Sequence, residues 1–326
     1  MHDPIIDVKN LTKIYKVRRR SDLSLVKRFF SRTNYDEVHA LSDISFRIEK
    51  GEYVGLIGNN GAGKSTLIKL LTGILSRTDG SMNVLGSDPF ENRVKNNFKI
   101  GAVFGQRTQL NWDLSTMDSL ELLKQIYNIP SVVYKNNIEM FVELFGMEKI
   151  VRQPVRTLSL GQRMQCEIMA SFLHNPELVF LDEPTIGLDV FSKDIITNFL
   201  KVLKSNLNTT LMFTSHDLEE MSKICDRAMV LYEGKILIEE KVETLLSFSN
   251  QQKRVIFTFE LEKPDFVFNV SSGNIMFEPY KMICEGVKKD EVGSLISKVA
   301  NTCFVTDMRI EESNFTDIIR SRIRGA

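Results

Sequence analysis

The chain of 326 residues has few cysteines and no leader-like start. Its four cysteines, at positions 166, 225, 284 and 303, are widely spaced and form no CxxC pair. This spacing argues against a disulfide framework or a zinc site, and it indicates free thiols in a reducing compartment. The first residues include an acid and a proline where a signal peptide would have its apolar core, so we expect no secretory leader.

An excess of one charge and long apolar runs are also missing. The 42 lysines and arginines balance the 42 aspartates and glutamates, which leaves a formal net charge of +0. We therefore expect no general affinity for nucleic acid or for a membrane surface. No stretch approaches the roughly 20 apolar residues that a membrane span needs, so we expect any membrane role to require a partner chain.

A glycine-rich run from Gly58 to Thr66 is the most informative segment that is present. It follows an apolar stretch at 53–57 and precedes a helical pattern of leucines and isoleucines at 67–74. A strand, a glycine loop and a helix in this order predict a phosphate-binding loop, because backbone amides at the helix start face the anion. Lys64 would then reach the β and γ phosphates, and the Ser65 hydroxyl would ligate Mg²⁺.

Two acids end a second apolar stretch. Residues 178–181 are apolar and suit a buried strand, and Asp182 and Glu183 follow directly. In a P-loop protein an acid at this position lies beside the phosphates, so we predict that Asp182 holds Mg²⁺ and that Glu183 is the general base. The alternative is an acidic turn that caps the next helix.

A second candidate anion site lies at 158–163, with the sequence LSLGQR. Ser159 stands where an N-cap would, and Gly161 permits close backbone approach at a helix start. One phosphate loop needs no second phosphate site in the same chain, so we predict a composite site shared between two copies. The alternative is an ordinary N-cap.

Two polar residues follow predicted strands and are further candidates. His216 could donate a hydrogen bond to the γ phosphate, and Gln106 could contact Mg²⁺ or the attacking water. A structural histidine and a surface glutamine are the alternatives.

Together these motifs resemble those of the ATP-binding domain of ABC transporters, over about residues 5–240. The resemblance implies that Tyr15 stacks on adenine and that Gln106 senses nucleotide and links to a transmembrane partner. It also implies that Asp189, after Gly187 and Leu188, lies at a dimer interface. Two sets of residues carry over to nucleotide binding: the phosphate loop Gly58, Asn59, Asn60, Gly61, Ala62, Gly63, Lys64, Ser65 and Thr66, and the opposing subunit's Ser159, Gly161 and Gln162.

One position departs from the commonest family pattern. Leu160 stands where the signature usually has glycine, and this variant, followed by Gln162 and Arg163, is similar to a branch of exporter-type ATPases. The run 103–114 resembles the same branch, whose members often pair with a separate permease. In that reading residues 105–114 face the permease and Trp112 is a candidate contact, although a packing role for Trp112 is an equal alternative.

The predicted fold is α/β, with a P-loop NTPase core, an antiparallel β subdomain and a helical subdomain. The ATP-binding domain spans 1–245 and contains a basic insertion at 18–37, and a small C-terminal α+β domain spans 251–326. The insertion mixes arginines and lysines with apolar residues, so we hypothesise that it lies at the membrane surface. A solvated loop is the alternative.

We therefore predict the ATP-hydrolysing subunit of an ABC exporter that dimerises around two MgATP. Its expected partners are a multi-span membrane permease on a separate chain and a second ATP-binding subunit, most simply another copy of this chain, with no nucleic acid. This would place it at the cytoplasmic face of the membrane. The alternatives are a soluble ABC-type ATPase acting on ribosomes or DNA, and an importer ATPase.

Overall fold

The computed structural model describes residues 4–18, 35–105, 108–206, 208–250, 252–260 and 274–312. Gln106 and residues 19–34 of the predicted basic insertion lie outside the described residues. The chain divides into two compact units, residues 1–240 and 241–326.

The first unit contains two sheets. Their strands are β1 (Ile6–Arg18), β2 (Tyr35–Ile48), β3 (Tyr53–Ile57), β4 (Asp79–Val84), β5 (Ile100–Phe104), β6 (Leu178–Asp182), β7 (Thr210–Ser215), β8 (Arg227–Tyr232) and β9 (Lys235–Lys241). A three-stranded antiparallel sheet has the order β2-β1-β4. A six-stranded sheet has the order β5-β6-β7-β3-β8-β9, and its pairs from β5 to β8 are parallel.

The two sheets differ in how their strands are buried. Every residue of β3, β6 and β7 is buried, as expected for parallel strands that are covered on both faces. In β2 only alternate residues are buried near its end, with Ile44, Phe46 and Ile48 inside and Ser45 and Arg47 exposed. This period of two marks a sheet with one solvated face, as the sequence predicted.

Helices connect the strands of the first unit. They are α1 (Lys64–Leu71), α2 (Arg93–Asn97), α3 (Thr116–Ile126), α4 (Ser131–Phe145), α5 (Leu160–Phe172), α6 (Val190–Asn206) and α7 (Leu218–Ser222). The helices α3, α4 and α5 lie between β5 and β6 in the chain, and α4 and α5 pack on α6 around Phe199. The α/β fold class with a helical and an antiparallel β part is therefore confirmed.

The second unit is a small α+β structure. It comprises α8 (Val242–Asn250), β10 (Gln252–Phe259), β11 (Asn274–Glu278), β12 (Lys281–Lys288), α9 (Val292–Thr302) and β13 (Val305–Glu312). The four strands form an antiparallel sheet in the order β11-β12-β10-β13. Val255 and Phe257 of β10, Met282 of β12 and Val299 of α9 form its apolar core.

Within the described ranges of both units, no helix combines the length and the apolar character needed to cross a membrane.

Candidate nucleotide-binding site

The glycine loop joins the end of β3 to the start of α1, and its glycines are required by the backbone. Gly63 has a φ of +109°, and a Cβ on it would come within 2.7 Å of the Ala40 carbonyl oxygen. A Cβ on Gly58 would lie 2.4 Å from the carbonyl oxygen of Leu231. Neither position has room for a side chain, so the loop can keep this shape only with glycine at both.

Lys64 is held in the centre of this loop. Its ammonium group donates to the carbonyl oxygens of Gly58 at 2.7 Å and Asn59 at 3.3 Å, and it lies 3.0 Å from Oε1 of Glu183. An ammonium group has three N–H donors, which matches these three acceptors. The side chain is only 4% exposed, so its charge is compensated by contacts that the fold supplies.

Asp182 and Glu183 lie at the end of β6, directly beside the loop. Asp182 is buried and its Oδ1 accepts a hydrogen bond from the Thr214 hydroxyl at 2.9 Å. Glu183 has a φ of +52°, the left-handed region that non-glycine residues rarely adopt. This backbone bend carries the Glu183 carboxylate to Lys64, and strain of this kind is concentrated at functional sites.

A cleft of about 570 Å³ opens beside these residues. Ser65, Gly105, Asp182 and Glu183 are among the residues that line it. A hydroxyl and two carboxylates facing one cleft are suitable oxygen ligands for Mg²⁺, and the neighbouring loop amides and Lys64 suit phosphate. The residues that are present therefore fit a nucleotide with its metal ion.

Ser159 and Gln162 form a capping box at the start of α5. The Gln162 backbone amide donates to the Ser159 hydroxyl at 3.2 Å, and the Ser159 amide donates to Oε1 of Gln162 at 3.0 Å. The N-cap reading of Ser159 is therefore confirmed. The two roles are compatible, because a hydroxyl that accepts a hydrogen bond keeps its own hydrogen for an anion.

Gly161 brings this helix start against the start of α6. A Cβ on Gly161 would lie 2.3 Å from the Ser192 hydroxyl oxygen and 3.9 Å from Oδ2 of Asp189. Asp189 accepts hydrogen bonds from the Ser192 amide at 3.0 Å and hydroxyl at 2.7 Å, which hold the pKa of its carboxyl below the usual range. The structure thus gathers Gly161 and Asp189 in one place.

The other predicted site residues are placed as follows. Tyr15 lies half-buried in β1, with the Lys13 ammonium 5.2 Å from the centre of its ring. His216 is exposed just after β7. Trp112 is 48% exposed and stacks under the Arg163 guanidinium, 5.2 Å away, so it is not a core tryptophan. Gln106 lies outside the described residues.

Two residues that contact parts of the site were not predicted from the sequence. Thr214 bridges the two acids, and Glu167 in α5 holds the segment that begins two residues after Gln106. The buried carboxylate of Glu167 accepts hydrogen bonds from the Thr108 hydroxyl and from the Gln109 amide, the latter at 3.1 Å. Burial raises the pKa of Glu167. An acid among the apolar residues of α5 was the available signal for Glu167; a threonine ending a buried strand offers almost none.

The fold and the site together define a P-loop ATPase of the parallel α/β class. The glycine loop, its lysine and the two acids at the adjacent strand end have the chemical character that phosphate binding, a metal ion and a general base would require.

Comparison with known proteins narrows this class. The family model described as ABC transporter matches residues 41–186. The ABC transporter ATP-binding protein NatA of Bacillus subtilis is 32% identical over 208 residues, which is 64% of this chain and 84% of that protein. Methionine import ATP-binding protein MetN 2 of Enterococcus faecalis is 32% identical, over 75% of this chain and 71% of its own length. Nod factor export ATP-binding protein I of Cupriavidus pinatubonensis is 28% identical, over 66% of each chain.

A solved structure shows the same fold. The ATP-binding cassette MJ0796, in a dimeric post-hydrolysis state bound to ADP and Pi, superposes with a TM-score of 0.61 at 24% identity. The match covers 73% of this chain and 98% of that one. The chain belongs to the family of ABC transporter ATP-binding proteins, and it is an ATPase.

Proposed function

We propose that this chain is the ATP-hydrolysing subunit of an ABC exporter, in which two copies close around two MgATP and drive a separate permease. ATP binding would close the dimer and ATP hydrolysis would reopen it. This repeated opening and closing would drive conformational change in the permease. In this proposal residues 1–245 are the ATP-binding domain and residues 251–326 are an accessory domain.

The observation that carries the chemistry is the position of the Lys64 ammonium, between the Gly58 carbonyl and the Glu183 carboxylate. A γ phosphate would offer Lys64 a more highly charged partner than Glu183. Once Lys64 turns to the phosphate, the Glu183 carboxylate is free to accept a proton from the attacking water. Without nucleotide the ion pair keeps the base engaged, which would limit its action to the loaded site.

Metal binding is the next part of the proposal. Ser65, Asp182 and Gln106 would hold Mg²⁺, which supplies positive charge to the phosphates when it is bound. Asp182 and Ser65 line one cleft, which supports this assignment. His216 would donate a hydrogen bond to the γ phosphate from the end of β7.

A second copy would complete each site. Ser159, Gly161 and Gln162 of one copy would meet the nucleotide held by Gly58 to Thr66 of the other, with Tyr15 on the adenine. Ser159 is exposed at the start of α5, where helix-terminal amides favour an anion, and this supports the assignment. Asp189 would lie at the same interface, since it shares Ser192 with Gly161.

The permease would dock near residues 105–114. Trp112 is exposed there, and further apolar side chains are exposed on the same unit, at Phe98 after α2 and at Leu122 and Ile126 on α3. Phe98 packs edge-on against Tyr127 at 6.0 Å, which joins α2 to the end of α3. Apolar surface of this kind marks a protein contact. Through this contact, and through the basic insertion at 18–37, the chain would lie at the cytoplasmic face of the membrane.

Export is favoured over import by Leu160 and Arg163 in the signature. The names of the relatives include both directions, since one is a methionine import protein and one a Nod factor export protein. An importer ATPase is therefore the second candidate.

The test is a pull-down of tagged Glu183→Gln protein from detergent-solubilised membranes, with and without MgATP, followed by mass spectrometry of the captured chains. A multi-span chain captured with MgATP, and reduced by an added Trp112→Ala change, would support the permease contact. Co-capture of a solute-binding protein would point to import. Recovery of ribosomal or DNA-bound proteins alone would overturn the transporter assignment and leave the ATPase.

A further inference from the structure

Thr214 forms hydrogen bonds with both acids of the site. It is the fifth residue of β7, directly in register with Asp182 of the parallel strand β6. Its side chain is fully buried, with a relative exposure of 0%. A hydroxyl buried this completely needs hydrogen-bond partners, and it has them in the two acids.

The two hydrogen bonds of Thr214 have fixed directions. The backbone N–H of Glu183 can only donate, so the Thr214 oxygen accepts this bond at 2.8 Å. The hydroxyl hydrogen is then available for Oδ1 of Asp182, at 2.9 Å. One hydroxyl therefore orients the carboxylate of Asp182 and the backbone of Glu183 at the same time.

The bond to Glu183 acts at the strained residue of the site. Glu183 has a left-handed φ of +52°, and its carboxylate lies 3.0 Å from the Lys64 ammonium. On the other side of β6, the Gly105 amide donates to the Asp182 carbonyl oxygen at 2.9 Å. The peptide between Asp182 and Glu183 is thus held from both neighbouring strands.

We propose that Thr214 is a positioning residue for ATP hydrolysis, which sets the metal-facing carboxylate of Asp182 and the base-bearing bend at Glu183 through one hydroxyl. Thr214 acts through the two acids, by its hydrogen bonds to the Glu183 amide and the Asp182 carboxylate. The inference rests on the proposed roles of Asp182 and Glu183.

The test compares Thr214→Val, which removes the hydroxyl at nearly constant volume, with Thr214→Ser, which keeps it. A lost hydrogen bond to a charged group corresponds to a loss of roughly ten- to a hundredfold in kcat for Thr214→Val. ATP affinity should change by less than about threefold, because Lys64 and the loop bind the phosphates. The Mg²⁺ concentration for half-maximal activity should rise, and Thr214→Ser should restore both values.

Thr209→Val is the matched control. Thr209 is also buried and its hydroxyl donates to the Pro176 carbonyl oxygen at 3.0 Å, just before the opposite end of β7. A purely structural role for Thr214 predicts similar losses in Thr209→Val and Thr214→Val, and this result would overturn the proposal. Equal impairment of Thr214→Ser and Thr214→Val would also overturn it.

Two further measurements keep the outcome decisive. If Thr214→Val does not fold, the pair Thr214→Ala and Thr214→Ser differs only by the hydroxyl, and equal kcat in that pair rejects the role. Glu183→Gln is measured in parallel. Full hydrolysis by Glu183→Gln removes the base assigned under the proposed function, whereas an inactive Glu183→Gln with a fully active Thr214→Val rejects only the positioning role.

Discussion

The two units of this chain bury very different side chains. Among the described residues, the first unit buries seventeen polar or charged residues, which include Lys64, Glu167, Asp182 and Thr214. The second unit buries one, Glu285, in its described part, and the Arg254 guanidinium lies 3.6 Å from it. Both units have an otherwise apolar core.

Burying a polar group costs stability unless hydrogen bonds or charges compensate for it. Many of the buried polar residues of the first unit lie in helices. Within that set, Lys64, Asp182 and Thr214 lie together where the glycine loop meets the ends of β6 and β7. The described part of the second unit has an apolar core between its sheet and α9.

The largest expected difference between the units is in catalysis. We expect Glu183→Gln to lower ATP turnover by about 10²- to 10⁴-fold, the usual contribution of a general base, while ATP stays bound. The same change at Glu278, exposed in the second unit, should leave turnover unaltered. Steady-state hydrolysis of both variants checks this. A turnover defect in Glu278→Gln would mean that the second unit takes part in the reaction.

Core truncation in the second unit should show the opposite pattern. Phe257 is 1% exposed, and Phe257→Ala is expected to lower the free energy of unfolding by about 3–5 kcal/mol. Nucleotide affinity should stay within about twofold of wild type. Thermal scans together with ATP titrations measure both quantities, and Phe257→Leu serves as the milder control. Loss of ATP binding at a temperature where Phe257→Ala is folded would show that the core of the second unit contributes to nucleotide binding.

A partly buried histidine should make the stability of the first unit sensitive to acid. Burial lowers the pKa of His174 to about 4, where its ring stacks on Tyr127 at 4.1 Å and contacts the Ile100 carbonyl. In the unfolded chain a histidine has a pKa of about 6.5, so acid favours unfolding. The stability linked to His174 is present above pH 6.5 and lost as the pH falls toward 4, by about 3 kcal/mol.

The measurement is the free energy of unfolding between pH 7 and pH 4, for wild type and for His174→Phe. The variant keeps an aromatic ring beside Tyr127 but cannot take up a proton. As the pH falls, the free energy of unfolding of wild type should decrease more than that of His174→Phe. Parallel curves would show that His174 does not titrate differently on folding.

The smallest expected effect concerns Glu167. Glu167→Gln should lower the free energy of unfolding by about 1 kcal/mol, because the amide nitrogen of glutamine replaces a carboxylate oxygen that accepts a hydrogen bond. The Thr108 hydroxyl can turn to the Leu110 carbonyl at 3.3 Å, which limits the loss. Burial raises the pKa of Glu167, so the stability linked to its protonated form is full at low pH and declines as the pH rises through the raised pKa.

The pH dependence separates this effect from a simple packing change. The advantage of wild type over Glu167→Gln should therefore diminish from acid to neutral pH, in chemical denaturation at each pH. An advantage that grows with pH would mean that the bonds from Thr108 and Gln109 outweigh desolvation.

Much of the site could be predicted because its parts are local. The spacing from Gly58 to Ser65 is a loop joined to its own helix, and the cap formed by Ser159 and Gln162 spans four residues. Local structure that depends only on residues close together in the chain can be predicted from the spacing of those residues. The exposure of Trp112 and its stacking with Arg163 could not be predicted, because the sequence suited a packing tryptophan and a partner-contacting tryptophan equally.

The order of residues was enough to predict a glycine loop between a strand and a helix, an acid pair at a strand end and the alternation of strands with helices, because each follows from short-range geometry. Only the folded chain brought Thr214 to Asp182, 32 residues away, and Thr108 to Glu167, 59 residues away. The same holds for the ion pair of Lys64 with Glu183. These contacts depend on which strands become neighbours in the sheet, and that choice is made by the packing of the whole unit rather than by any local pattern.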